Sequence, residues 1–345
     1  VTSLLPASIL AFYVYLILGT DAVEEQRFIL LQASVLFMAL LVAGTYLVHT
    51  ISRILLHVTE ELASGLDYLR HGYFDGRVTV LMDDEFGSLA RGLNTALVGL
   101  GERDELKQSL QIASEIHQGM LPQKLPQLPA YPLCGFQRSC QEVGGDYYDA
   151  IRLQDGGLLV IIADVAGKGY PAAITVANLR AMLHAMAHLQ MPFADAAAYI
   201  NDTLCETLTG GRFVTMFMAR LNPADGELQW LNAGHVPPML ASESDIELLE
   251  ASVPPMGLQP GLGFEATVRQ LQAGDTLLAY TDGVTEARNR SGQEMFGDER
   301  LRQWFEREHD APLVDMANRL NEELESFGST ASEDDLTLLC LRREE

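Results

Sequence analysis

Hydrophobic and polar positions divide this chain into three regimes. Residues 1–20 carry no charge and are rich in Leu, Ile, Ala, Val and Tyr. Residues 28–48 form a second uncharged run, interrupted only by the polar Gln32, Ser34 and Thr45. Each run matches the roughly 20 residues that carry a helix across a bilayer, and the pair predicts a transmembrane hairpin over residues 1–50. A cleaved signal peptide is the alternative for the first run, but no basic start or small-residue cleavage site stands out. The link 21–27 is short and mostly acidic, while Arg53 and Arg70 follow the second run. That bias puts the link outside and the bulk of the chain in the cytoplasm. So short a link holds no sensor domain. A signal must come through the membrane helices, a partner, or sequence preceding Val1.

Beyond the second run the pattern becomes amphipathic. Ile51, Leu55, Val58 and Leu62 repeat at helical spacing, and Gly65, Gly72 and Gly76 punctuate a connector. Asp83, Asp84 and Glu85 suit the positive end of a second helix, whose apolar stripe is Phe86, Leu89, Leu93, Leu97 and Leu100. With the signature Asp84-Glu85-Phe86-Gly87-Ser88-Leu89-Ala90 and Asn94, residues 51–103 resemble a HAMP relay domain, although the proline often found in its first helix is absent. The resemblance implies a parallel homodimeric four-helix bundle. A plain amphipathic stalk is the alternative. Leu106, Leu110, Ala113, Ile116 and Met120 continue a helical stripe until Pro122 stops it, so residues 104–125 read as a coupling helix.

In the third regime, residues 126–345, short apolar runs alternate with glycine- and aspartate-rich turns. Strands are expected at 158–163, 213–221, 228–231, 275–280 and 336–341, and helices at 171–189, 194–208, 297–307 and 312–327. Pro171 stands at the first turn of its helix, where proline is tolerated.

Charge and cysteine content narrow the function. The 345 residues carry a net charge of -24, which argues against binding nucleic acid through phosphate contacts. Cys134, Cys140, Cys205 and Cys340 form neither a Cys-x-x-Cys pair nor a zinc spacing, so they read as thiols of a reducing compartment.

Acidic residues supply the candidate chemistry. Asp146, Asp164, Asp282 and the pair Asp334/Asp335 each lie at a strand end or beside glycine. One such aspartate is an ordinary turn residue. The recurrence in one domain points to shared hard cations, which take oxygen ligands.

The motifs Gly144-Gly145-Asp146-Tyr147-Tyr148-Asp149, Asp164-Val165-Ala166-Gly167-Lys168-Gly169, Asn232-Ala233-Gly234-His235, Thr281-Asp282-Gly283-Val284-Thr285-Glu286-Ala287 and Asp334-Asp335-Leu336-Thr337 occur in this order. As a set, with Ile116 to Pro122 upstream, they resemble the bacterial SpoIIE/RsbU-type branch of the metal-dependent (PPM) Ser/Thr protein phosphatases over about 114–341. The resemblance implies an α+β sandwich, two antiparallel sheets flanked by helices, with two Mn2+ or Mg2+ ions at one end. It implies Asp146, Asp164 and Asp282 as catalytic through metal-activated water. The ligands would be Asp146, Asp164, the backbone carbonyl of Val165, Asp282 and Asp334, with Asp335 the rival for the last place. Asp149 and Glu286 become outer-shell or third-metal candidates, and His235 a structural residue. The implied substrate is a phosphorylated STAS-type anti-anti-sigma or partner-switching regulator. The implied setting is the lipid of the bacterial inner membrane, with a homodimer formed through the HAMP and coupling helices. The arginine that grips phosphate in the eukaryotic branch has no clear counterpart.

Three rivals are weighed. His117 after a HAMP-like module suggests a histidine kinase, but no Glu-x-x-Thr-Pro follows it and no ATP boxes appear. Gly144-Gly145-Asp146 suggests a nucleotide cyclase, which leaves Asp282 and Asp334 unexplained. A catalytically degenerate phosphatase-like scaffold is the non-enzymatic alternative.

Overall fold

The computed structural model describes residues 11–12, 14–15, 23–80, 82–122, 124–140, 143–243, 245–328 and 334–344, except the side chains of 23–25. The first expected membrane run therefore lies almost wholly outside the described residues. The chain divides between Gln108 and Ser109 into two compact units.

The first unit is helical. Helix α1 (Val23–His71) takes in the second apolar run, the first amphipathic stripe and most of what the sequence suggests is a link at 21–27. Its stretch from Gln26 is long and apolar enough to cross a membrane, and Phe28, Leu31, Val35 and Tyr46 are exposed. Helix α2 (Glu85–Met120) carries the second stripe and the coupling segment without a break. Between the helices the connector runs extended, held by Asn94. Its amide donates to the Val78 carbonyl (2.9 Å) and accepts from the Val78 N–H (2.8 Å). A Cβ on Gly65 would collide with the Val78 and Leu93 side chains, so that glycine lets the connector close. Val58, Val78, Ala90 and Leu97 are buried, while Ile51, Leu55, Leu89 and Leu100 stay exposed.

The second unit is a four-layer sandwich. Its elements in order are β1 (Leu133–Arg138), β2 (Asp146–Arg152), β3 (Leu158–Val165), α3 (Tyr170–Leu189), α4 (Phe193–Thr207), β4 (Val214–Asn222), β5 (Glu227–Ala233), β6 (Met239–Ser242), β7 (Asp245–Leu248), β8 (Thr267–Gln270), β9 (Thr276–Tyr280), α5 (Asp282–Thr285), α6 (Asp298–Glu308), α7 (Leu313–Phe327) and β10 (Leu336–Arg342). One antiparallel sheet has the order β1-β10-β9-β6-β7 and the other β2-β3-β4-β5-β8. Strand β3 shows why the sequence reads as continuous apolar run rather than alternation. Leu158, Val160 and Ile162 pack into the gap between the sheets, and Leu159, Ile161 and Ala163 pack under α3 and α4. Helices α6 and α7 cover the outer face of the first sheet with Leu301, Phe305, Met316 and Leu320. Burying each such Leu or Ile contributes about 1.5–3 kcal/mol.

Two differences from the sequence expectation bear on the site. The expected strands do not include residues 146–152, yet Asp146–Arg152 forms β2, registered so that Asp146 stands opposite Asp164. Strands β1, β6, β7 and β8 were not legible, because they are short or lack a bounded apolar run.

Candidate metal centre

Strand register assembles the site. Asp146 begins β2, Asp164 is the penultimate residue of β3, Asp282 follows the end of β9 and Asp334/Asp335 precede β10. Because β2–β3 and β9–β10 are antiparallel pairs, all these positions fall at one end of the sandwich.

Asp146 is the buried anchor, 2% exposed. Its Oδ2 accepts hydrogen bonds from the hydroxyls of Thr281 (2.7 Å) and Thr337 (2.6 Å). Thr337 N–H in turn donates to the Thr281 hydroxyl (3.0 Å). This knot joins the two sheets exactly where the acids meet, since Asp146 belongs to one sheet and both threonines to the ends of strands in the other. Burial and the neighbouring Asp164 charge push the Asp146 carboxyl well above its ordinary pKa, against the pull of the two hydroxyls. Asp164 is half-buried, and burial together with Asp282, Asp334 and Asp335 raises its pKa to about 7. Asp282, first residue of α5, is raised by burial, then by Asp334 and Glu286.

The adjacent Asp334 and Asp335 have different partners. Asp335 is buried and accepts backbone N–H bonds from Cys140 (2.9 Å) and Gly145 (2.7 Å), one on each oxygen. It is therefore the strut that fixes the glycine loop before β2. A Cβ on Gly144 would strike that carboxylate, and one on Gly283 would strike the Asp335 carbonyl oxygen. Both glycines are close-approach residues. Asp334 is half-exposed, and its Oδ2 lies 2.9 Å from Lys168 Nζ. Val165 is buried at the end of β3, and its carbonyl oxygen would lie 2.9 Å from a Cβ on Gly145.

Asp149 lies apart from these acids. Three residues along β2 from Asp146, it falls on the opposite face of the strand and turns toward the helices. Tyr147 Oη donates to it (2.7 Å), and His184 Nε2 of α3 lies 2.8 Å away. Glu286 is exposed after α5, and its charge reaches Asp282. His235 is buried and saturated. Its Nε2 donates to the Tyr280 carbonyl (3.1 Å), which leaves Nδ1 to accept from the Thr215 hydroxyl (2.9 Å). Burial holds its pKa down at about 4. A partly open pocket of about 120 Å³ lies at the far end of β3, lined by Leu159, Met186, Phe193 and Met218 among others, away from the clustered aspartates.

The donor set fits divalent cations in chemistry. All the side-chain donors are hard carboxylate oxygens, and the raised pKa values of Asp146, Asp164 and Asp282 express burial first and mutual repulsion second, which a cation would offset. Among the described residues, no three His, Cys, Asp or Glu side chains are drawn around a common point tightly enough to hold an ion as they lie. Thr281, Thr337 and Lys168 sit inside motifs singled out in the sequence and Thr215 inside an expected strand, yet their roles became visible only through contacts between distant parts of the chain.

The pattern of the family described as Stage II sporulation protein E (SpoIIE) matches residues 154–344, more than half of the chain. The chain belongs to the SpoIIE family. The stretch matched to SpoIIE contains Asp164, Asp282 and Asp334 and begins after Asp146. The chain is also similar to the phosphoserine phosphatase RsbU of Bacillus subtilis (strain 168), 26% identical over 246 residues, which cover 71% of this chain and 72% of RsbU. Its fold is that of the SiaA-PP2C domain of Pseudomonas aeruginosa, with TM-score 0.61, 22% identity, and coverage of 70% of this chain and 98% of that one. The structure of the PP2C phosphatase domain and a fragment of the regulatory domain of SpoIIE from Bacillus subtilis matches with TM-score 0.55 and 22% identity, over 64% of each chain.

Proposed function

We propose that this SpoIIE-family chain is a membrane-anchored, metal-dependent protein phosphatase. It hydrolyses phosphoserine or phosphothreonine on a partner-switching regulator of the STAS type. The observation that carries the reading is the convergence of Asp146, Asp164, Asp282 and Asp334 at one end of a PP2C-type sandwich, with Asp146 clamped by Thr281 and Thr337.

Asp146, Asp164, Asp282, Asp334 and the Val165 carbonyl would hold two Mn2+ or Mg2+ ions. Bound ions of this kind supply an activated water and polarise phosphoryl oxygens. The remaining steps belong to the chain itself. Both threonine hydroxyls take the same oxygen of Asp146, which would leave Oδ1 for a cation. Asp335 is assigned to holding the Gly144-Gly145 loop rather than to the ions, because both its oxygens already accept backbone N–H groups. Asp149 is assigned to fixing α3 through His184, and Glu286 to the outer field of Asp282.

The domain reading is a hairpin at 1–50, a HAMP relay at 51–103, a coupling helix at 104–125 and the phosphatase at 126–345. Two observations support coupling to the site. The Tyr170 hydroxyl, next to the Asp164–Gly169 loop, donates to the Leu110 carbonyl of α2 (3.3 Å). His117 of α2 is buried, its pKa lowered by burial while the charge of Asp335 opposes that shift. A homodimer is supported by the stripe residues Ile51, Leu55, Leu89 and Leu100, which a single chain leaves exposed.

The test is phosphate release from a Ser-phosphorylated STAS protein, with and without Mn2+. Metal-independent turnover, or full activity in Asp164→Asn, would sink the mechanism. No turnover with either metal would favour the scaffold. For the relay, inserting residues between 101 and 120 must change turnover of the full-length protein; unchanged turnover would end that part of the reading.

A further inference from the structure

Among the described residues, Lys168 is the cation whose charge reaches Asp164 and Asp282, and the phosphatase reading leaves it without a task. Lys168 lies between Gly167 (φ 111°) and Gly169 (φ 74°), a left-handed pair that only glycine adopts at little cost. Those turns carry the chain from the end of β3 directly into α3 and present Lys168 at the rim of the acids. Its side chain is 47% exposed, and Nζ lies 2.9 Å from Asp334 Oδ2. Its charge also reaches Asp164 and Asp282, where it is the strongest cationic influence.

We propose that Lys168 is the phosphate-binding cation of this site, holding Asp334 in the absence of metal and taking a phosphoryl oxygen of the substrate once metal occupies Asp334. The inference rests on the phosphatase reading. Charge balance supports it. The five aspartates of the cluster outweigh two divalent cations by one charge, so a site without Lys168 would meet a phosphate dianion with a net negative wall. The ammonium removes that excess, and its four-carbon stem can exchange partners across a short distance. Local backbone adds to the same effect. Helix α3 begins beside Lys168 at Tyr170 with no acid in its first turn, so the helix dipole adds positive potential there. Arg212 is the other cation close along the chain, because Phe213 pairs with Ala166. Its guanidinium is turned back onto Thr209 instead, through the carbonyl and the hydroxyl. It therefore serves as the control.

The experiment uses the full-length protein in detergent, with inorganic phosphate as probe. Titration calorimetry measures Mn2+ binding first and phosphate binding to the Mn2+-loaded protein second. Lys168→Met should weaken phosphate binding about tenfold, the scale of one charge-assisted contact, while Mn2+ binds as tightly as before or tighter. Lys168→Arg should retain most of the affinity, and Arg212→Ala should leave it unchanged. Unaltered phosphate affinity in Lys168→Met would overturn the proposal. So would weakening of Mn2+ binding by the same factor, which would make Lys168 only a strut for Asp334. Wild-type protein that binds no Mn2+ and releases no phosphate would fail the parent reading, whereas normal phosphate binding by an active Lys168→Met protein would sink this inference alone.

Discussion

The helical unit and the sandwich use apolar residues in opposite ways. In the sandwich, β3 buries both faces and the helices close over each sheet, so most apolar residues are buried within one chain. In the helical unit, apolar side chains remain outside: Phe28, Leu31 and Val35 along the membrane run, Ile51, Leu55, Leu89 and Leu100 along the stripes. Among the described residues of that unit, the buried hydrophobic ones are Ala33, Val58, Val78, Ala90 and Leu97. The sandwich thus buries most of its apolar residues within one chain, and its acid end carries electrostatic tension. The helical unit leaves apolar surface exposed, which the proposed membrane and second copy would cover.

The largest effect that sharpens this contrast is at the acids. A fragment covering 104–345 should fold without the membrane unit and release phosphate with Mn2+. In that fragment Asp164→Asn should lower kcat at least about 1000-fold while leaving the unfolding midpoint the same or higher, because it removes repulsion. Loss of folding in the fragment would break the comparison.

Packing gives the next effect. Phe217→Ala, in the gap between the sheets, should cost about 3–5 kcal/mol in urea unfolding of the fragment. Leu55→Ala, exposed on α1, should leave the fold of one chain intact and show itself in the dimer fraction of full-length protein by analytical ultracentrifugation.

A third effect depends on pH. His235 titrates near 4 in the fold against an ordinary 6.5. As pH falls below 6.5 the unfolded chain takes up a proton that the folded chain refuses, so stability drops by up to roughly 3 kcal/mol by pH 4. His235→Gln should flatten that part of the slope, read as urea midpoints between pH 7 and 4.5. An unchanged slope would show that the acid sensitivity resides elsewhere.

The smallest effect separates two aspartates of one strand. Asp149→Asn should cost about 1–2 kcal/mol, from weakened bonds to Tyr147 and His184, with kcat of the Mn2+-loaded fragment within about threefold of wild type. A loss comparable to that of Asp164→Asn would return Asp149 to the metal site.

Much of this was legible in the chain. The apolar run at 28–48, the stripes of α1 and α2, strands β3, β4, β5, β9 and β10, and helices α3, α4, α6 and α7 follow from periodicity and punctuation. The acids were legible as motifs. Their division of labour was not. Asp334 and Asp335 are identical in type and adjacent, and only the approach of Cys140 and Gly145 from 190 or so positions away separates them. Asp146 and Asp149 were quoted in one motif, but the pleat of β2 sends them to opposite faces.

By itself, then, the sequence determined which segments are apolar, at what period, and where aspartates stand beside glycines, because these are local properties of neighbouring residues. Tertiary structure alone decided that Thr281 and Thr337 clamp Asp146, that Asp335 is a strut, and that Lys168 meets Asp334. Each of those contacts joins strand ends far apart in the chain, and strand pairing and sheet packing, not local pattern, set which ends meet.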